Sequence, residues 1–108
     1  MTAIVVLITA SSLAEARKLA DVLVEEKLAA CVQILPAIDS VYWWKGSVER
    51  ASEVLLLAKT LGARFQELET RVRAVHSYET PEIVAIPVTA ISLPYLEWLG
   101  ESLDSQLD

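Results

Sequence analysis

The chain is predicted to fold as a small α+β domain, an antiparallel sheet with helices on one face, and three observations carry that prediction. Continuous β-branched runs alternate with stripes of apolar residues at helical spacing. The order of these segments reads β-α-β-β-α-β followed by a short trailing helix, which is the split βαβ, or ferredoxin-like, pattern. The length, 108 residues, gives room for one hydrophobic core. A single domain over 1–108 is expected, without repeats, linkers or low-complexity segments.

The elements follow in order. Ala3 to Ile8 is a β-branched run of strand length, suited to a central strand covered on both faces. Ser12-Leu-Ala-Glu15 matches a capping box, in which the Ser hydroxyl and the Glu carboxylate satisfy amide donors at a helix start. The helix it opens is expected to run to about Leu28, with Ala16, Leu19, Ala20 and Leu23 on its apolar face. Cys31 to Leu35 reads as a second strand ended by Pro36, and Ser40 to Gly46 as an aromatic strand entering a turn at Lys45-Gly46. The chain returns as strand from Val48 to Ala58, completing a long hairpin. Phe65, Leu68, Val72 and Val75 predict a second amphipathic helix ending near His76. Pro81 opens the strand Ile83–Ile86. Ser92 is the expected N-cap of the last helix, with Pro94 in its first turn and Leu96, Leu99 and Leu103 as its buried stripe. Both main helices fall on one sheet face, so the other face is expected to be free of helices and to pack against other subunits.

Composition points the same way. The apolar fraction is 54%, above the usual figure of roughly 45–50%. A lone small domain rarely exposes so much apolar surface, which favours self-association. The net charge of −6, with 15 acidic and 9 basic residues and no basic cluster, argues against nucleic acid and anionic membranes as partners. Cys31 is the single cysteine, which excludes an intrachain disulfide and fits a reducing, cytoplasmic setting. The apolar run at the start has no basic residue before it and is too short to span a bilayer, so it reads as a strand rather than a signal peptide.

Few residues carry the chemistry of a site. His76 and Cys31 are the usual soft or borderline metal ligands, one of each, too few for a closed four-ligand site within one chain. Glu79 and Glu82 lie close to His76 in sequence and are placed to supplement it. The competing reading makes Cys31 a small buried hydrophobe and His76 a helix-terminal residue favoured by the macrodipole. With one imidazole and none of the recognised nucleophile, phosphate-loop or dinucleotide motifs, no catalytic centre is expected. Tyr42-Trp43-Trp44 is unusual because Trp43 should face away from Tyr42 and Trp44 on a strand. Such aromatics anchor subunit interfaces or line ligand pockets. His76 to Glu82 gathers an imidazole, a phenol and two carboxylates in one turn, an arrangement common in binding loops and also met in solvated turns.

Several segments together resemble one family. Glu25-x-x-Leu-Ala-Ala-Cys31, Ser40-Val-Tyr-Trp-Trp-x-Gly46, Lys59-Thr60, His76-x-Tyr-Glu-x-Pro-Glu82 and Tyr95-Leu-x-Trp98 fall in the same order as in the divalent-cation tolerance (CutA) family. The match runs from about Val5 to Trp98. It implies a tight homotrimer, PII-like in architecture, whose hairpin strands extend sheets across subunit boundaries. It also implies a role in tolerance to copper or another divalent cation, weakly bound and not needed for folding. The family's proposed ligands are a Cys late in the first strand and one or both of two consecutive His; here those positions hold Ile8, Val75 and His76, so only His76 matches. Ser77 and Ser11 stand where the family commonly has Pro. The resemblance carries over His76, Glu82 and Cys31 as metal candidates, Lys59 and Tyr78 with Trp44 nearby as pocket candidates, and Tyr42 and Trp43 as interface residues. The alternative is a PII-like sensor or adaptor that holds a small ligand between subunits and has no physiological metal.

Overall fold

The computed structural model describes residues 2–104; residues 1 and 105–108 of the expected domain lie outside the described ones. Four strands, β1 (Ala3–Ala10), β2 (Cys31–Trp44), β3 (Ser47–Leu61) and β4 (Ile83–Pro87), form one sheet in the order β2-β3-β1-β4. Every pairing is antiparallel. Three helices of eight or more residues accompany it: α1 (Leu13–Glu25), α2 (Phe65–Val75) and α3 (Leu93–Ser102). The antiparallel α+β layout read from segment order is therefore the observed one, with β1 inside the sheet as expected.

Alternation assigns the two faces. Ile4, Val6, Ile8 and Ala10 of β1 lie beside Val54, Leu56, Ala58 and Thr60 of β3 and meet Ala16, Leu19 and Leu23 of α1 and Leu68 and Val72 of α2 in one core. Thr60 is polar in this layer and is satisfied by donating its hydroxyl to the Leu28 carbonyl at 2.8 Å. The opposite face is not wholly free of helices. Leu61 packs with Leu99 and Leu103, and the Lys59 ammonium lies 5.7 Å from the Tyr95 ring, so α3 covers one end of it. The rest leaves Leu35, Val84 and Ile86 exposed and Val5 and Leu7 partly so. Coverage of β1 on both faces, expected from its β-branched run, is thus incomplete within one chain.

Two boundaries differ from expectation for identifiable reasons. Helix α1 stops at Glu25 rather than Leu28 because Lys27 turns to a φ of 58°. The Leu28 amide then donates to the Leu23 carbonyl and the Lys27 amide to the Val24 carbonyl, a Schellman closure with lysine where glycine is usual. Pro36 does not end β2. Leu35 pairs with Leu55 and Ile38 with Glu53, so Pro36 and Ala37 together oppose Val54 in a β-bulge. The bulge takes the proline, which has no amide to give the ladder, and the strand continues to Trp44.

The hairpin turn is as expected. Trp44 pairs with Ser47 across Lys45 and Gly46, both at positive φ (48° and 82°), as a two-residue type I′ turn requires. Lysine pays for that conformation where asparagine does not. Lys45→Asn is expected to raise unfolding free energy by about 0.5–1 kcal/mol, and Gly46→Ala to lower it by about 1 kcal/mol, in urea denaturation at fixed subunit concentration.

Candidate functional site

The β2–β3 hairpin outruns its neighbours. β1 ends at Ala10 opposite Val54, so β3 from Ser47 to Glu53 has β2 on one side and no β1 partner on the other. The segment after α2 comes back past this notch, and between them lies a cavity of about 570 Å³. Tyr42, Trp44 and Glu53 line it from the hairpin, Thr9 from the end of β1, and Tyr78, Glu79 and Glu82 from the returning segment. The bulge sets which side chains arrive there. It puts Tyr42 and Trp44 on the same face as Glu53, and Trp43 on the other face, 75% exposed. The expectation that Trp43 points away from its two neighbours holds.

The cavity is acidic. The Tyr78 hydroxyl donates to the Glu53 carboxylate at 2.9 Å. Burial, followed by that hydrogen bond and the Glu53 charge, pushes the Tyr78 phenol up to about 12, so it stays a neutral donor. Burial and then the Glu53 charge also push the Glu82 carboxyl above the usual carboxylate range. Among the described residues no lysine or arginine lines the space.

His76 lies beneath this wall. Its side chain is fully buried, and both ring nitrogens are engaged. Nδ1 receives the Tyr78 amide at 2.9 Å, and Nε2 sits 2.7 Å from the Thr9 carbonyl. An amide can only donate and a carbonyl only accept, which fixes the neutral Nε2–H tautomer. The Glu15 carboxylate oxygen 3.9 Å from Nδ1 is therefore not an ion-pair partner. Tilted by 49° against the Tyr78 ring with centroids 4.7 Å apart, the imidazole ties the end of β1 to the cavity wall.

Glu15 provides a second tie. Ser12 caps α1 by accepting the Glu15 amide at 3.1 Å, as the sequence predicts. The carboxylate departs from the capping-box prediction. It takes the amide and hydroxyl of Ser11, at 3.0 and 2.9 Å, and the amide of Ser77 at 2.8 Å. Burial raises the Glu15 carboxyl, but these donors from Ser11 and Ser77 outweigh it and hold the group at about 2.

The candidate residues therefore divide. Tyr78, Glu82, Trp44 and Tyr42 meet at the cavity; Trp43 does not, and His76 stands behind it with no free nitrogen. Cys31 and Lys59 are register partners near the α3 end of the same sheet face, and Lys59 is six residues along β3 from Glu53, roughly 20 Å at strand rise. Among the described residues no three His, Cys, Asp or Glu side chains converge as a metal cluster. Sequence reading missed Glu53 and Thr9, whose part depends on register, and the long-range contact of Glu15 with Ser77.

Comparison with known proteins places this geometry. The profile of the family described as CutA1 divalent ion tolerance protein matches residues 4–102. The divalent-cation tolerance protein CutA of Thermus thermophilus is 50% identical over 98 residues, covering 91% of this chain and 95% of that protein. Protein CutA 1, chloroplastic, of Oryza sativa is 44% identical over 92% of this chain, which spans 56% of that longer relative. Among solved structures, the periplasmic divalent cation tolerance protein CutA from Archaeoglobus fulgidus superposes with a TM-score of 0.91 at 42% identity, covering 94% of this chain and 98% of that one. No helix among the described residues is long and apolar enough to cross a membrane. With the profile spanning β1 to α3 and relatives matching both sequence and backbone over nine-tenths of the chain, the protein belongs to the CutA1 divalent ion tolerance family.

Proposed function

We propose that the protein acts in divalent-cation tolerance as a cytoplasmic homotrimer that binds the ion weakly and reversibly at the acidic cavity. The observation that carries this reading is that Glu53, Glu79 and Glu82 line one cavity with the Tyr78 phenol. Glu82 is raised by burial and by the Glu53 charge, and a cation between them relieves both costs. Carboxylate and phenol oxygens suit divalent ions in general; copper is the first-row ion held most tightly by a given donor set. Glu82 and Glu53 are the primary ligands in this proposal. His76 joins them only if it gives up the Tyr78 amide, and Cys31 only from a neighbouring subunit.

The trimer is supported by the unpartnered apolar surface. Leu35, Val84 and Ile86 on the sheet and Val41, Trp43 and Val48 on the hairpin are all more than two-fifths exposed. It is also supported by charge. The Cys31–Lys59 end of the face and the Glu53–Glu82 end are complementary, so a head-to-tail ring would bring the two half-sets of candidate residues together. The alternative of a PII-like small-ligand site draws on the same juncture, where Lys59 would offer an anion its ammonium. The lone cysteine supports the cytoplasmic placement.

Titrating Cu²⁺ and Mn²⁺ into the wild type and Glu82→Gln tests the metal reading. Loss of about tenfold in affinity is expected in the variant, with Cys31→Ser less affected, which corresponds to about 1.4 kcal/mol. The sign for stability is opposite. An acid whose folded pKa lies above its unfolded value loses stability as pH rises through that range, so Glu82→Gln is expected to be slightly more stable than wild type at pH 7. Unchanged metal affinity in Glu82→Gln would remove the cavity from the proposal.

A further inference from the structure

The cavity has a second wall that metal chemistry does not use. Tyr42 and Trp44 come from β2 on one side, and Tyr78 from the returning segment on the other, so three aromatic residues line a space with Glu53 and Glu82. A bare divalent ion keeps its water and is served by oxygen donors, and aromatic faces give it little. An alkylated ammonium is the cation that such a lining suits, because its carbon shell is weakly hydrated and its charge is attracted by ring quadrupoles. We infer that the cavity takes an organic ammonium group, a methylated or primary alkylamine, with its carbon shell against Tyr42, Trp44 and Tyr78 and its charge toward Glu53 and Glu82. The inference rests on the reading of this cavity as a cation site and names a second class of cation for it.

Three further observations support that assignment. The Trp44 ring already meets an ammonium outside the cavity, the Lys45 Nζ at 5.7 Å from its centroid, so a cation approaches this ring at the hairpin tip. Tyr78 is held by the hydrogen bond to Glu53 on one side and by the His76 ring on the other, so this wall is formed before any ligand arrives. At about 570 Å³ the space lies within the range for small organic ligands and is far larger than an ion needs. Lys45 does not line the cavity and does not fill it.

The test uses tetramethylammonium as the probe, titrated into the intact protein and followed by tryptophan fluorescence and by amide chemical shifts, against sodium chloride of equal ionic strength. Saturable changes at Trp44, Tyr78 and Glu53 are expected with tetramethylammonium and not with sodium. Trp44→Leu is expected to weaken tetramethylammonium binding about tenfold, between the exposed and the desolvated values for a cation–π contact. Mn²⁺ added to the tetramethylammonium-loaded protein is expected to compete. Shifts no larger than those in sodium chloride, or tetramethylammonium affinity unaltered by Trp44→Leu, would overturn the inference. Loss of Mn²⁺ binding alone would count against the metal reading and leave this one standing. Since Trp44 and Tyr42 are half exposed, their replacement does not empty the core, and the wild-type shift map stands without any variant.

Discussion

His76→Ala is expected to lower the unfolding free energy by about 2–3 kcal/mol, because it removes a fully buried side chain and strands two part-buried backbone groups at once. The Thr9 carbonyl and the Tyr78 amide each lose their partner when the fully buried imidazole between them is removed. His76→Gln, which keeps one donor and one acceptor, should recover part of the loss. Urea unfolding at pH 7 and fixed subunit concentration measures both. The same variants separate two roles for this residue. If the imidazole is a tie between β1 and the cavity wall, the loss appears in stability, and metal affinity changes only as far as Tyr78 is displaced. Full stability in His76→Ala together with abolished Cu²⁺ binding would instead make the imidazole a ligand.

The second large effect depends on pH. Glu15 titrates at about 2 in the folded chain and at 4.5 by its ordinary value, so its contribution is complete above the upper figure and is lost as pH falls through the lower one. The side chain is 13% exposed; after discounting for solvent screening, the contribution is about 2 kcal/mol. Wild type should therefore lose about 2 kcal/mol more than Glu15→Gln between pH 5 and pH 2, and exceed it by a similar amount at pH 7. Parallel stability curves for the two proteins would show that Ser11 and Ser77 find other acceptors. The turn carrying the cavity wall hangs on this carboxylate through Ser77, so acid should loosen that turn before the sheet.

Much of this architecture could be read from the chain because its signals are local. β-branched runs and helical stripes gave the strands and helices, Ser12 and Ser92 marked two helix starts through short side-chain caps, and Lys45-Gly46 marked the turn. Misreadings arose where one residue overrode the pattern around it. Lys27 took the left-handed conformation and ended α1 early, and Pro36 entered a bulge where a strand break was expected. The site was legible only in part for a different reason. Tyr42, Trp44, Tyr78 and Glu82 were singled out by composition and family resemblance and do meet, but Glu53 reaches them by strand register across the hairpin, which no sequence window displays. His76 was noticed as a scarce residue type; its burial between two backbone groups belongs to tertiary structure.

The bulge at Pro36 and Ala37 also bears on what changes of length this hairpin tolerates. On the Cys31 side of it, odd-numbered residues share a face with Lys59; on the far side, even-numbered residues share that face with Glu53. Deleting one residue at the bulge would restore regular pairing, and the strand would lose nothing in hydrogen bonding. It would also keep the register beyond the bulge, with Tyr42 opposite Glu49 and Trp44 opposite Ser47, so the cavity would keep its lining. A one-residue change of length at the bulge is therefore absorbed there, so relatives that differ in length at this point should be compared by the side of the sheet each aromatic occupies rather than by residue number.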